Sequence, residues 1–246
     1  MNELRPLISF TKDGSHTLLH PYLDENYHST HGALTEALHV FIQEGLEFRL
    51  ELDNKNPIVI FEMGFGSGLN TWLTSLWALK LKRKIIYYSI DNYILSKKFF
   101  QKLNFSKSFY DLNKKRNFMK DSKHLLSTLH QKFLEIHQST WNQAHNISEF
   151  FSLIKLNYDI HEFFNYLSQN PVNFDLLFYD AFSPRRQPTL WETTIFLALK
   201  QHCSSSAVLV SYCAQSRFKK TLKSLDFKVS AVQGPPGKRE MTRALV

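Results

Sequence analysis

The chain has 246 residues, 43% hydrophobic, 14% aromatic and 21% charged, with a formal net charge of +8. That content excludes a disordered chain, and the length suffices for one sizeable core or one core with an appendage. Two cysteines, Cys203 and Cys213, are too few for a disulfide scaffold; no apolar run reaches the roughly 18 to 20 residues of a membrane span, and Met1 to Phe10 lacks the pattern of a secretory signal.

A soluble protein of the cytoplasm, without membrane contact, is the expectation. Its charge is uneven. Residues 1–50 hold 3 Lys or Arg against 7 Asp or Glu, whereas the last 46 residues hold 8 against 2. A positive surface attracts a polyanion such as nucleic acid, but solvated helix faces account for the same pattern equally well.

Residues 1–30 are polar and mixed, with a turn signal at Lys12-Asp13-Gly14-Ser15. Leu34, Ala37, Leu38, Phe41, Ile42 and Leu46 recur at i, i+3, i+4, i+7 and predict an amphipathic helix over 31–46. The apolar run 58–61 predicts a buried parallel strand. A glycine-rich turn follows, then a helix with Leu69, Trp72, Leu73, Leu76 and Trp77 on one face. A second strand is expected over 85–90. Residues 97–147 are polar, basic and helical by pattern. Further strands are expected over 150–156, 174–179, 207–213 and 227–232. Helices are expected over 160–167 and 190–200, and a basic helix is keyed by Phe218, Leu222 and Leu225.

This pattern divides the chain into an N-terminal extension over 1–50, made of strands, turns and a helix, and a main domain over 51–246 with a helical insertion near 97–147. Alternating strands and helices predict the α/β class, with a mainly parallel, doubly wound, Rossmann-like sheet. Ligands in such folds bind beyond the carboxyl ends of the strands, so the loops there hold the candidate site residues.

The first of those loops reads Glu62-Met63-Gly64-Phe65-Gly66-Ser67-Gly68. Glycines permit a sharp turn and close approach of a ligand, and the helix start after them offers free N–H groups. Dinucleotide-binding loops carry G-x-G-x-x-G, whereas the spacing here is G-x-G-x-G. Glu62 would repel a pyrophosphate and attract the sulfonium and amino group of S-adenosylmethionine. Asp91 ends the second strand, 23 residues after Gly68, where an acid can bind ribose hydroxyls. Together these features resemble the class I S-adenosylmethionine-dependent methyltransferases. A tight turn with Asp91 as a cap is the alternative. Asp159 is placed to meet the adenine amino group or to cap the helix after it.

The loop after the fourth strand reads Asp180-Ala181-Phe182-Ser183-Pro184-Arg185-Arg186-Gln187-Pro188. Asp180 emerges at the carboxyl edge, where it could orient an amine nucleophile or take its proton. Phe182 could stack on a flipped base, and Arg185 and Arg186 could meet phosphates. Near the C-terminus, Gly234-Pro235-Pro236-Gly237-Lys238-Arg239-Glu240-Met241 sets two cations on a constrained loop, suited to phosphate or serving as a plain turn before a final strand.

Three motifs in this order resemble the MnmC methyltransferase domain family: Glu62 to Gly68 with Leu69 and Asn70, then Asp180 to Pro184 with Pro188 and Trp191, then Gly234 to Met241. Upstream, Asp13-Gly14-Ser15 and Tyr27-His28-Ser29-Thr30-His31-Gly32-Ala33 resemble its N-terminal segment, so the likeness runs from about residue 8 to 246. The resemblance implies a class I fold. It implies S-adenosylmethionine-dependent N-methylation of 5-aminomethyl-(2-thio)uridine at the tRNA wobble position, giving 5-methylaminomethyl-(2-thio)uridine. It puts Glu62, Gly64, Phe65, Gly66, Ser67, Gly68, Asn70, Asp91, Asp159 and Asp180 at the cofactor, with Asp180 also catalytic. Tyr27, His28, Phe182, Pro184, Lys238 and Arg239 would then meet the tRNA substrate. Functional coupling to the enzymes that install the aminomethyl group is implied as well.

Fused members of that family carry a flavin-dependent oxidase domain. The length here matches the stand-alone form, so neither flavin nor metal is expected. Asp91 replaces the family's usual Glu, Ile94 a Pro, and Ser216 and Asp226 two glycines. Two other readings stay open, a methyltransferase for another amine and a non-catalytic nucleic-acid-binding protein.

Overall fold

A computed structural model describes residues 5–246. The reading of residues 1–4 as the start of an extension without a secretory signal lies outside the described residues.

The chain opens with a small antiparallel sheet, β1 (Leu7–Phe10), β2 (His16–His20) and β3 (Glu25–Asn26). Asp13 explains its first turn. Its Oδ1 accepts from Thr11 Oγ1 at 2.7 Å and from Ser15 N at 2.9 Å, while its Oδ2 accepts from Thr35 N at 2.9 Å. The expected helix over 31–46 is longer than its apolar pattern. It is α-helical over Ala33–Ala37 (α1), π-helical over Leu38–Glu47 and α-helical again over Phe48–Leu52 (α2). The rod packs closely on the main sheet: a Cβ on Gly45 would meet Phe178 and Val210 atoms at 3.0 Å.

The main elements follow: β4 (Ile58–Met63), α3 (Leu69–Leu81), β5 (Ile85–Ile90), α4 (Lys97–Phe100), α5 (Phe105–Arg116), α6 (Leu125–Gln138), β6 (Gln143–Ser148), β7 (Phe151–Leu156) and α7 (Ile160–Gln169). Then come β8 (Phe174–Tyr179), a 3-10 turn (Pro188–Trp191), α8 (Thr193–Gln201), β9 (Cys203–Ser211), α9 (Ser216–Ser224), β10 (Lys228–Gln233) and β11 (Glu240–Leu245). The eight-stranded sheet has the order β10-β11-β9-β8-β4-β5-β7-β6. Its centre, β9 to β7, is parallel, and both edges are antiparallel. This is the Rossmann-like arrangement expected. The chain leaves β4 toward β5 and later returns to its other side with β8, so the switch point lies between β4 and β8.

The sheet has a core on each face. Trp72, Trp77, Phe109 and Phe133 lie on the face covered by the long rod, α3, α5 and α6. Phe163, Phe196 and Phe218 lie on the face covered by α7, α8 and α9. Leu18 belongs to the first core, so the N-terminal extension shares its packing with the main sheet.

Two expectations need correction, and a third element gains its place in the sheet. The end of the insertion is not helical: residues 143–148 form β6, paired antiparallel with β7, and Asn142 turns the chain into it with φ of 60°. The helix expected over 190–200 starts later, because Pro188 opens a separate 3-10 turn. The strand expected over 227–232 is an edge strand, since β11 inserts between it and β9. Asp226, where the family resemblance calls for Gly, takes φ of 60°, a left-handed conformation that Asp tolerates better than most residues. Among the described residues no helix is long and apolar enough to cross a membrane.

Candidate active site

A cavity of about 520 Å³ opens at the carboxyl ends of β4, β5, β7 and β8, and residues 25–30 of the N-terminal segment form another wall. Of the residues singled out from sequence, Tyr27, His28, Gly64, Phe65, Gly66, Ser67, Asn70, Asp91, Asp159, Asp180, Phe182 and Lys238 line it. Gly68, Pro184 and Arg239 do not, and Glu62 is fully buried away from it.

The glycine loop needs its glycines. Gly66 has φ of 53° under the Tyr27 ring, and a Cβ there would meet that ring at 3.1 Å. Gly68 has φ of 71°, and a Cβ would meet His137 Nε2 at 2.7 Å. The loop is gripped from several sides. Asp91 Oδ2 accepts from Gly66 N at 2.8 Å, and Oδ1 accepts from Tyr93 N at 2.7 Å. Ser67 Oγ shares a hydrogen bond of 3.2 Å with His28 Nε2, and the Ser67 carbonyl accepts from His137 Nε2 at 3.0 Å. Burial pushes His28 down to about 4 and His137 down to about 3, so both are neutral at neutral pH. Burial pushes the Asp91 carboxyl up to about 6, against the backbone hydrogen bonds it accepts.

Beneath this loop, Lys155 is fully buried on β7. Its ammonium caps the end of α6 by donating to Ile136 O at 2.8 Å and His137 O at 3.1 Å, and it lies 5.0 Å from the Phe65 and Trp141 ring centroids. The insertion therefore supports the loop, although nothing in its sequence pattern pointed there.

Glu62 departs from the expectation of direct contact with a ligand. Its Oε2 accepts from Thr71 Oγ1 at 2.8 Å and Ser89 Oγ at 2.6 Å, while Oε1 has no hydrogen-bond partner among the described residues. Burial pushes its carboxyl up to about 7. It ends one buried strand and secures the start of α3. Asp159 combines the two placements considered for it. It caps α7, accepting from His161 N and Glu162 N at 2.8 Å in a capping box, and it also lines the cavity.

The opposite wall is built around Asp180, whose Oδ2 accepts from Asn70 Nδ2 at 2.9 Å. Burial pushes the Asp180 carboxyl well above the usual range. The negative charges of Glu36 and Glu62 add to this, while the Asn70 hydrogen bond and the Lys238 charge oppose it. The loop after Asp180 is fixed at several points. Tyr212 Oη donates to Ala181 O at 2.9 Å, Trp191 Nε1 to Phe182 O at 2.8 Å, and Ser183 Oγ to Glu25 Oε2 at 2.6 Å. Phe182 packs edge-on against Tyr27 and His20, with centroids 5.1 and 5.3 Å apart. Arg185 is exposed, whereas Arg186 is tied to Asp24 Oδ2 at 3.0 Å.

Lys238 also departs from expectation. It does not point outward beside Arg239. Gly234 N donates to Arg239 O at 3.2 Å and Lys238 N to Pro235 O at 2.9 Å, making this loop the tight connection between β10 and β11. That turn sends Lys238 into the cavity wall and leaves Arg239 exposed. Sequence reasoning missed Glu36, Tyr212, Glu25 and His137. For Tyr212 a signal existed, because it follows the carboxyl end of β9. Glu36 lies in a helix whose periodicity marked only its apolar face. Among the described residues, no group of three or more His, Cys, Asp or Glu is arranged to hold a metal ion.

A family model described as S-adenosyl-L-methionine-dependent methyltransferase matches residues 124–246. The tRNA 5-methylaminomethyl-2-thiouridine biosynthesis bifunctional protein MnmC of Idiomarina loihiensis is 28% identical over 227 residues, which are 89% of this chain and 35% of that protein. Its namesake from Marinomonas sp. is 24% identical over 247 residues, 96% of this chain and 33% of that protein. The chain thus spans about a third of the length of the curated relatives it matches. Among solved structures, MnmC2 from Aquifex aeolicus matches with a TM-score of 0.73 and 27% identity, covering 99% of this chain and 71% of that one.

Proposed function

We propose that this chain, which belongs to the S-adenosyl-L-methionine-dependent methyltransferase family, methylates the aminomethyl nitrogen of 5-aminomethyl-(2-thio)uridine at the wobble position of tRNA. The product is 5-methylaminomethyl-(2-thio)uridine. The observation that carries this reading is one cavity with a glycine loop on one wall and the Asp180-Ala181-Phe182 loop on another. The names of the relatives from Idiomarina and Marinomonas support the choice of substrate.

The donor set fits the cofactor. Lys238 is the one Lys or Arg among the described lining residues, and it is paired with Glu36, so no free fixed cation awaits a pyrophosphate. Asp91 accepts backbone N–H groups on both oxygens and keeps acceptor capacity for a ribose hydroxyl. The backbone of Gly64, Gly66 and Ser67 would hold the amino-acid part, with Asp159 near the base. When bound, S-adenosylmethionine supplies a methyl group already activated on a sulfonium.

The chain's own contribution is placement and proton handling. An ammonium has no lone pair, so the acceptor nitrogen must be neutral to attack. Asp180, with its raised proton affinity, is suited to accept a hydrogen bond from that nitrogen and then its proton. Asn70 fixes the orientation of the carboxylate. Most of the acceleration comes from holding the nitrogen in line with the donor. Phe182 and Tyr27 offer aromatic surface to the base, and exposed Arg185 and Arg239 offer charge to tRNA phosphates. A cytoplasmic location and coupling to the enzymes that install the aminomethyl group belong to the same proposal.

Methyl transfer by the purified chain from S-adenosylmethionine to tRNA bearing 5-aminomethyl-2-thiouridine tests it. Transfer to that nitrogen is expected. Transfer only to a small amine or a protein would replace the substrate assignment, and calorimetry showing no binding of S-adenosylmethionine would replace the enzyme reading.

A further inference from the structure

Beside Asp180 the cavity wall carries an ion pair that the proposed reaction leaves unused. Glu36 in α1 keeps only 8% of its side chain exposed, yet both oxygens are matched. Its Oε1 accepts from Lys238 Nζ at 2.6 Å and its Oε2 from Ser29 N at 2.8 Å. The same ammonium sits over the Tyr212 ring, 4.1 Å from its centroid. Tyr212 in turn holds the carbonyl of Ala181, the neighbour of Asp180. Glu36, Lys238 and Tyr212 line the same cavity as Asp180.

We propose that Lys238 is a positioning residue of the acceptor site: pinned by Glu36 and seated on Tyr212, its ammonium braces the Asp180 loop and holds a fixed positive charge beside Asp180, and it does not serve tRNA phosphates. This rests on the reading of Asp180 as the acceptor-facing group. A lysine that meets phosphate is a hydrated charge on a flexible stem, whereas this one is held on two sides. Its departure toward a phosphate would strand the largely buried carboxylate of Glu36 without its cation.

The charge matters for the proton. The titratable groups facing Asp180 are Glu36 from α1, Glu62 from β4, Tyr212 beyond β9 and Lys238 from the β10–β11 loop. The two glutamates disfavour its carboxylate. Lys238 is the cation that favours it. By the same Coulomb argument, a fixed cation disfavours the ammonium form of an arriving amine. Both effects put the site in the state that can react.

The test compares wild type with Lys238→Met, Lys238→Arg and Glu36→Gln. It reads the pH dependence of kcat/KM for methyl transfer and the salt dependence of tRNA binding. Lys238→Met is expected to move the acid limb to higher pH by roughly one unit, about tenfold in rate on that limb. Lys238→Arg should restore most of it, and Glu36→Gln should move the limb the other way. The salt dependence of tRNA binding should stay that of wild type in Lys238→Met. Opposite shifts from the two partners of one ion pair are not what simple loosening produces. Shifts in the same direction, or none, overturn the proposal. So does an unmoved limb with a flattened salt dependence, which would make Lys238 a phosphate contact. If wild type fails on tRNA but methylates another amine, the substrate assignment fails alone, and the same comparison is read on that amine.

Discussion

Asn70 and Asp180 are joined by a hydrogen bond of 2.9 Å, so the first turn of the helix after the glycine loop is tied to the strand end on the opposite wall. This contact sets the register between the glycine-loop wall and the Asp180 wall of the cavity. Asn70→Ala is expected to lower kcat about tenfold while changing S-adenosylmethionine affinity less. Asp180→Ala is expected to lose on the order of 10²–10⁴ in kcat, the usual range for a proton acceptor. Single-turnover methyl transfer measures both, and near-normal rates for Asp180→Ala would remove its role.

His137 reaches from α6 to the Ser67 carbonyl, stacking on Phe100 with centroids 4.3 Å apart. His137→Phe keeps the ring contact and removes the N–H, leaving a buried carbonyl unpaired. The expected outcome is about tenfold weaker binding of S-adenosylmethionine, roughly 1.4 kcal/mol. Calorimetry measures it, and unchanged affinity would mean that the insertion does not support the loop's function.

Glu62 gives a pH signature in stability. Its carboxyl is raised from 4.5 to about 7 in the fold, so the folded chain binds the proton more tightly than the unfolded one. The associated stability is fully present below pH 4.5 and is lost as pH rises through about 7, at most on the order of 3 kcal/mol. In Glu62→Gln the amide oxygen can accept from Thr71 and Ser89 as Oε2 does now. Relative to wild type, Glu62→Gln should therefore gain stability between pH 5 and 8 in denaturant titrations, with pH range and sign following from the raised value. A constant difference across that range would contradict the assignment.

Arg239 is exposed, next to a lysine that turns inward. Arg239→Ala should weaken tRNA binding uniformly across sequences and reduce the salt slope by about one. Binding isotherms at several salt concentrations check this. An unaltered slope would move the tRNA-binding face elsewhere.

The parallel core was legible because buried strands read as short apolar runs, and the glycine loop and Asp180 follow two of them directly. β6 was not legible. It is an edge strand with little apolar alternation, recognisable only through its partner β7. The wall beside Asp180 was hidden for another reason. Lys238 and Glu36 lie 202 positions apart, and two adjacent cations look alike until the hairpin turn sends one inward. Glu62 was read correctly as a strand-end acid, but its depth depends on Thr71 and Ser89 closing over it, which local sequence does not encode.

The proposed reaction is methylation of one nitrogen on one tRNA base. Its most direct test is mass analysis of nucleosides from tRNA bearing 5-aminomethyl-2-thiouridine, after incubation with the purified chain and S-adenosylmethionine. Conversion of the wobble nucleoside to a species heavier by one methylene unit, with the added carbon on the aminomethyl nitrogen, is the expected result. An unchanged wobble nucleoside, in a preparation that binds S-adenosylmethionine, would contradict it.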